Sequence, residues 1–101
     1  MPFVPVLKLS ELPPGAVTEI SMGGNLYALC NLEGTVRALG GECLHQGGPL
    51  GQGNLADGRI VCPWHGWEFD CITGASSSGA DHCVPTYEVK VEGGQIFLQV
   101  P

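Results

Sequence analysis

Residues 43–53, CLHQGGPLGQG, and residues 62–70, CPWHGWEFD, each bring a cysteine and a histidine within a few positions of one another. The four residues are Cys43, His45, Cys62 and His65. Thiolate sulfur and imidazole nitrogen are the usual protein ligands of zinc and iron. One such pair is a weak signal, whereas two matched pairs with glycines beside them are a strong one. The sequence therefore predicts that two loops converge on a metal centre.

The rest of the chain is typical of a small β protein, because short aliphatic and β-branched runs alternate with turn residues and helix signals are weak. Runs at 16–22, 26–32 and 35–40 predict a three-stranded meander. Residues 86–100 predict a final hairpin that turns at Gly93 and Gly94. We therefore expect an all-β fold.

Sixteen residues, 46–61, separate the two Cys/His pairs and include the turn signal Asp57-Gly58. This length predicts a hairpin that returns the chain to the same place. The Gly/Ser-rich run at 74–82 predicts an exposed loop, and residues 10–15 predict a loop or at most one helical turn. No linker or repeat divides the chain, so we expect a single domain over residues 1–101.

The composition restricts the classes of partner. The 101 residues carry a formal net charge of -6, which argues against nucleic acid and anionic lipid as partners. Acidity alone is also typical of a small protein that is simply soluble. No apolar run approaches the roughly 18 residues that span a bilayer, and the N-terminal residues do not resemble a signal peptide. These features predict a cytoplasmic protein with no membrane partner, in which the odd number of cysteines favours metal ligation over disulfides.

The two Cys/His pairs and the spacer between them resemble the Rieske iron–sulfur signature, in which Cys-x-His is followed by Cys-x-x-His. The resemblance implies an antiparallel β sandwich with two cluster-binding loops. It also implies one [2Fe–2S] cluster, with Cys43 and Cys62 on one iron and His45 and His65 on the other. Such a cluster is neutral when oxidised and therefore accepts an electron more easily than an all-cysteine cluster, which begins as a dianion.

Departures from the high-potential Rieske proteins indicate a low reduction potential. Those proteins carry two extra cysteines that bridge the loops, and the matching positions here are Gly48 and Trp64. They also place a serine and a tyrosine, whose hydroxyls bond to cluster sulfurs, where this chain has Trp67 and Phe69. The chain resembles the low-potential group of soluble Rieske ferredoxins and oxygenase electron-transfer domains, and it is too short to include a catalytic domain.

The resemblance thus implies a one-electron carrier rather than an enzyme, with a flavin-dependent ferredoxin reductase as donor and a terminal Rieske non-haem iron oxygenase as acceptor. An apolar collar around the histidines would suit a transient interface with these partners. Its members would be Leu44, Gln46, Pro49, Leu50 and Trp64. Two alternatives are the small Rieske-type subunit of an assimilatory nitrite reductase and a structural Cys₂His₂ zinc module that binds a partner.

The other cysteines are not assigned to the centre. We expect Cys30 to be a buried strand residue and Cys71 to be an inert thiol near the second loop. His82 and Cys83 precede Val84, which by the resemblance begins a third loop that covers the cluster. Family members usually have apolar residues there, so we leave both out of the predicted site.

Overall fold

The computed structural model describes residues 3–41, 49–63, 67–76 and 79–99, with the backbone alone for residues 79–82. This part of the chain consists of short strands and two single 3-10 turns, Leu9–Glu11 and Leu50–Gln52. The strands are β1 (Phe3–Lys8), β2 (Val17–Met22), β3 (Asn25–Leu32), β4 (Thr35–Gly40), β5 (Asn54–Ala56), β6 (Arg59–Val61), β7 (Glu68–Asp70), β8 (Ala75–Ser76), β9 (Gly79–Cys83), β10 (Thr86–Tyr87), β11 (Val89–Glu92) and β12 (Gln95–Gln99).

The strands form three antiparallel sheets within the described residues. A four-stranded sheet has the order β10-β4-β3-β2, a three-stranded sheet the order β1-β12-β11, and a five-stranded sheet the order β5-β6-β7-β8-β9. The meander β2-β3-β4 turns at glycines with positive φ, including Gly24 and Gly34. These sheets confirm the all-β prediction.

Both faces of the four-stranded sheet are buried, because its side chains alternate between two hydrophobic clusters. On β3, Ala28 and Cys30 belong to one cluster, while Tyr27 and Leu29 belong to the other. The first cluster continues into the five-stranded sheet, and the second into the three-stranded sheet through β12. The four-stranded sheet therefore lies in the middle of the sandwich, which explains the continuous burial of residues 27–31.

Most of the predicted elements are present. The meander and the Asp57-Gly58 hairpin are confirmed by β2 to β6, and residues 10–15, predicted as a loop or at most one helical turn, hold the end of the 3-10 turn Leu9–Glu11 followed by a loop. The predicted final hairpin is present as β11-β12, but Thr86 and Tyr87, predicted as part of it, pair with β4 instead. Among the described residues, no helix is long or apolar enough to cross a membrane.

The prediction of an exposed loop over residues 74–82 is wrong. This segment contributes β8 and β9, which pair with each other, and β8 also pairs with β7. Ser76 is 7% exposed and lies opposite Phe69 in the register. A Gly/Ser-rich composition favours a loop only when nothing pairs with the backbone, and here the neighbouring strand supplies that pairing.

Candidate metal centre

The first Cys/His loop leads into the five-stranded sheet at the same end at which the second loop leaves and re-enters it. Asn54 at the start of β5 pairs with Val61 at the end of β6, which pairs with Glu68 at the start of β7. The first loop leads into β5, and the second loop connects β6 to β7. Strand pairing therefore places the end of the first loop beside both ends of the second.

The first loop is closed at its base by a backbone hydrogen bond. The amide of Leu50 donates to the carbonyl oxygen of Gly41 over 3.0 Å. Gly41 in turn donates to Leu26 over 2.9 Å, which fastens the start of the loop to β3. A side chain at Gly41 would meet the Leu26 backbone at 2.6 Å, so a glycine is required for this approach. Gly41 and Leu50, which are described on either side of residues 42–48, are therefore held together next to the four-stranded sheet.

The second loop is closed in the same way. The amide of Cys62 donates to the carbonyl oxygen of Trp67 over 2.7 Å. Cys62 is 1% exposed and belongs to a buried cluster with Leu50, Phe69 and Val84. The loop thus holds its cysteine in apolar, water-poor surroundings.

A third segment lies beside the start of the first loop. Gly40 donates a 2.8 Å hydrogen bond to the carbonyl oxygen of Pro85, and Val84 donates a 2.9 Å bond to Gly74. Val84 is 2% exposed and shares the cluster of Cys62. These bonds bring the 84–85 segment to the end of the molecule where both ligand loops begin.

Of the four predicted ligands, the structure describes Cys62. Cys43, His45 and His65 lie outside the described residues, as do Gly48 and Trp64. Within the described part of the chain, no three His, Cys, Asp or Glu side chains come together as a metal site. The hydrogen bonds that close the two loops bring together the described residues on either side of the two Cys/His motifs.

The surroundings of Cys62 fit an iron–sulfur cluster. A thiolate in an apolar pocket is costly unless a cation neutralises it, and coordinated iron supplies that positive charge. A Cys₂His₂ donor set is also the ligation of Rieske clusters. The residues present therefore suit the group that the sequence predicts.

One part of the predicted apolar collar is wrong. Leu50 is 0% exposed and packs in the core with Cys62, because the turn Leu50–Gln52 directs it inward. Pro49 is half-buried. Leu44, Gln46 and Trp64, the other predicted members of the collar, lie outside the described residues. Leu50 thus shields the loop base and is not available to a partner.

The other cysteines differ in their surroundings. Cys30 is 0% exposed on β3, which confirms the prediction of a buried strand residue. Cys71 is 1% exposed, and its hydrogen bond with Cys30, together with burial, raises the pKa of its thiol. A protonated, buried thiol is unreactive, as predicted for Cys71. Cys83 is exposed at the end of β9 opposite Ala75, while the side chain of His82 lies outside the described residues.

Two aromatic side chains, Trp67 and Phe69, lie beside the second loop. Phe69 is 0% exposed in the hydrophobic cluster of Cys62, and the centroid of the Trp67 ring lies 6.4 Å from that of Phe69.

Asp70, the last residue of β7, fixes the turn after the strand. Its carboxylate accepts hydrogen bonds from the amides of Ile72 (2.8 Å) and Thr73 (3.0 Å). These two bonds lower the pKa of Asp70, the bond from Thr73 having the larger effect and that from Ile72 the next.

Glu19 was not singled out by the sequence. It lies on β2 and contacts the turn that ends the first loop, where its Oε1 accepts a 3.4 Å bond from Gln52. A single acidic residue in a strand has no distinguishing sequence pattern, so only the tertiary structure reveals this contact.

Comparison with known proteins identifies the family. A family model described as the Rieske [2Fe-2S] domain matches residues 2–88. The chain belongs to the Rieske [2Fe–2S] domain family. Membership implies a [2Fe–2S] cluster and confirms the resemblance that the Cys/His pairs suggested.

Relatives of this Rieske chain include carriers of similar length. It is 31% identical over 97 residues to the ferredoxin component of the alkene monooxygenase system of Xanthobacter autotrophicus, covering 95% of this chain and 80% of the relative. It is 30% identical to the ferredoxin component of the naphthalene 1,2-dioxygenase system of Pseudomonas aeruginosa, covering 97% and 95%. It is also 33% identical to apoptosis-inducing factor 3 of Homo sapiens over 93% of this chain, but it spans only 16% of that relative's length.

Solved structures agree with this fold. The ferredoxin of carbazole 1,9a-dioxygenase from Nocardioides aromaticivorans IC177 superposes with a TM-score of 0.91 at 28% identity, covering 100% of both chains. A chain in a complex of reduced oxygenase and oxidised ferredoxin of carbazole 1,9a-dioxygenase superposes with a TM-score of 0.87 at 26% identity, covering 95% of this chain and 91% of that one. The Rieske fold is therefore shared over essentially the whole chain.

Proposed function

We propose that this protein is a low-potential one-electron carrier that holds one [2Fe–2S] cluster through Cys43, His45, Cys62 and His65. Cys43 and Cys62 hold one iron, and His45 and His65 hold the other. When bound, such a cluster accepts and releases a single electron at a potential in the range of roughly -150 to +300 mV. The closed bases of both loops and the buried position of Cys62 support this ligand set.

The chain's own residues control access to the centre. Leu50, Phe69 and Val84, each at most 2% exposed, pack around Cys62 and exclude water from its side of the cluster. Exclusion of water lowers the local dielectric and reduces the reorganisation that accompanies a change in charge. Cys62 is therefore shielded from water, and we propose that the electron enters and leaves at the histidine side.

The electron comes from a flavin-dependent ferredoxin reductase and passes to a terminal Rieske non-haem iron oxygenase. One observation carries this proposal. The chain aligns over almost its whole length with ferredoxin components of oxygenase systems, and it covers 80% and 95% of those proteins in return. The similarity to a ferredoxin found in complex with an oxygenase supports the same acceptor. We propose that residues 1–101 act as one domain in the cytoplasm, without a nucleic-acid or membrane partner.

A second candidate is the small Rieske-type subunit of a nitrite reductase. A structure described as a putative NADH-dependent nitrite reductase small subunit from Mycobacterium tuberculosis superposes with a TM-score of 0.89. Its identity of 22% supports a common fold and not a common function. The oxygenase system is favoured because its ferredoxin components reach 30–31% identity over similar lengths.

Two measurements test the proposal. Anaerobic reductive titration of the purified protein should consume one electron per chain, and a His65→Ala control should consume none. The tagged protein should then co-purify with its acceptor from the source cells, identified by mass spectrometry and by oxidation of the reduced carrier in stopped flow. Electron transfer to an oxygenase supports the proposal, whereas transfer to a nitrite reductase and to no oxygenase would overturn the proposed acceptor.

A further inference from the structure

Glu19 lies against the turn that ends the first ligand loop. Its Oε1 accepts a 3.4 Å hydrogen bond from the side-chain amide of Gln52. A Cβ at Gly51 would come within 2.7 Å of both Cα and Cβ of Glu19, a distance that real side chains do not adopt. Glycine at position 51 therefore allows the turn Leu50–Gln52 to pack directly on the backbone of β2.

The same turn closes the base of the first ligand loop and leads directly to the base of the second. Leu50 bonds to Gly41, so the described residues on either side of 42–48 are joined at the turn that packs on Glu19. The chain then continues to Gly53, where a Cβ would overlap the carbonyl oxygen of Val61, the residue before Cys62. Glu19 is thus at the common base of the two loops.

The carboxylate of Glu19 is poorly compensated. Its Oε2 is buried and accepts no hydrogen bond from the described residues. The bond from Gln52 to Oε1 is long, since strong N–H···O bonds measure about 2.7–3.2 Å. The described ion pairs join Arg59 to Glu68 and Lys90 to Glu92, so none neutralises Glu19.

We propose that Glu19 lowers the reduction potential of the centre by holding an uncompensated negative charge at the base of both ligand loops. Adding an electron near a fixed negative charge costs Coulomb energy, and the half-buried charge of Glu19 is screened less than a fully exposed one. Glu19 also positions the turn Leu50–Gln52 through Gln52. This inference rests on the proposed function, because it requires a one-electron centre between the loops.

Charge and positioning are separated by two substitutions. Glu19→Gln keeps the shape and an oxygen acceptor for Gln52 but removes the charge. It should raise the potential, so that the ratio of reduced to oxidised protein at a fixed applied potential increases about threefold or more. Glu19→Asp keeps the charge but shortens the side chain, and its potential should stay close to that of the wild type.

A matched control is Glu33→Gln, which removes the same charge at an exposed position. Glu33 lies in the β3-β4 turn, at the end of β3 that is far from Gly41. Glu33→Gln should move the potential much less than Glu19→Gln. Equal shifts for the two variants, or an unchanged potential in Glu19→Gln, would overturn the proposal. A shift in Glu19→Asp without one in Glu19→Gln would mean that Glu19 acts by positioning alone, which also overturns it.

Iron and labile sulfide are measured in each protein before voltammetry. A wild type without a cluster would contradict the proposed function, whereas an intact cluster with an unmoved potential would contradict the role of Glu19 alone. If Glu19→Gln does not fold with its cluster, Gln52→Lys provides the test, because the ammonium pairs with Glu19 and neutralises it. Its potential must then rise above the wild-type value, and an unchanged potential would reject the inference.

Discussion

The amide of Cys62 donates a 2.7 Å hydrogen bond to the carbonyl oxygen of Trp67, so the second ligand loop begins and ends at one point. This bond extends the pairing of β6 with β7, whose last pair is Val61 with Glu68. The position of Cys62 is therefore set by paired backbone, which is more rigid than a free loop. The proposed ligand His65 lies in sequence between the two bonded residues.

Removal of a histidine ligand should abolish the cluster. His45→Ala and His65→Ala each delete one of the two nitrogen ligands of one iron, and neither can be replaced by the other loop. We expect iron and labile sulfide to fall to trace levels and the visible absorption to disappear in both variants.

Cys30→Ser is the control for this experiment. Cys30 is 0% exposed, and its thiol is hydrogen-bonded to that of Cys71. The substitution therefore alters the core without removing a proposed ligand. Its visible spectrum should match that of the wild type. A Cys30→Ser protein that folds but lacks iron, or a His65→Ala protein with a normal spectrum, would show that the ligand assignment is wrong.

Phe69→Tyr should raise the reduction potential. Phe69 packs in the same hydrophobic cluster as Cys62. A hydroxyl on its ring would donate a hydrogen bond to a sulfur of the [2Fe–2S] cluster, which carries more negative charge when reduced. Only the difference between the two oxidation states counts, so we expect a rise on the order of tens of millivolts by protein-film voltammetry. Phe97→Tyr, on a half-buried ring of β12, is the control and should leave the potential unchanged. A potential that stays the same or falls in Phe69→Tyr would refute the missing hydroxyl as a cause of low potential.

Gly53→Ala should loosen the base of both loops. A Cβ there would overlap the carbonyl oxygen of Val61, and the clash cannot be relieved by a flexible side chain. We expect a loss of about 1–3 kcal/mol in the free energy of unfolding, measured with denaturant, and faster loss of iron. Gly58→Ala is the comparison. The φ of +77° at Gly58 strains any side chain placed there, but no atom lies within 4 Å of a Cβ at this position. Gly58→Ala should cost about 1 kcal/mol and retain iron normally. Equal iron loss in the two variants would contradict the role of Gly53.

Asp70 should contribute stability that depends on pH. Its folded pKa is lowered by the amide bonds from Thr73 and Ile72, below the usual carboxyl value of 3.8. The contribution is therefore complete above that value and is lost as the pH falls through the lower folded pKa. Asp70→Ala should cost about 1 kcal/mol at neutral pH, and the gap to the wild type should narrow in acid. Asp70→Asn retains an acceptor oxygen and should show a smaller loss with less pH dependence. A gap that widens in acid would contradict this sign.

The Rieske family and its type of cluster could be predicted from the sequence because the Cys/His signature is local, while the ligand set itself stays a prediction. Cys43, His45, Cys62 and His65 form two short motifs, and the hairpin around Asp57-Gly58 follows from a two-residue turn signal. The meander β2-β3-β4 was likewise predictable, since Gly24 and Gly34 mark its turns. Each of these features depends on neighbours in sequence.

Features that depend on distant neighbours were not accessible. The strand β8 forms because β7 is available to pair with it, which a Gly/Ser composition does not reveal. Leu50 looked like a surface residue beside the ligands, but the hydrogen bond between its amide and Gly41 turns the chain inward at that point. Glu19 is separated by more than thirty positions from Gln52, so their contact exists only in the folded chain.

The composition and spectrum of the centre test the account most directly. Anaerobically purified protein should contain two irons and two acid-labile sulfides per chain, as a [2Fe–2S] cluster requires. After reduction by one electron it should give a rhombic EPR signal whose average g value lies below that of the free electron. Bound zinc without labile sulfide, in a colourless protein with no EPR signal after reduction, would contradict the account.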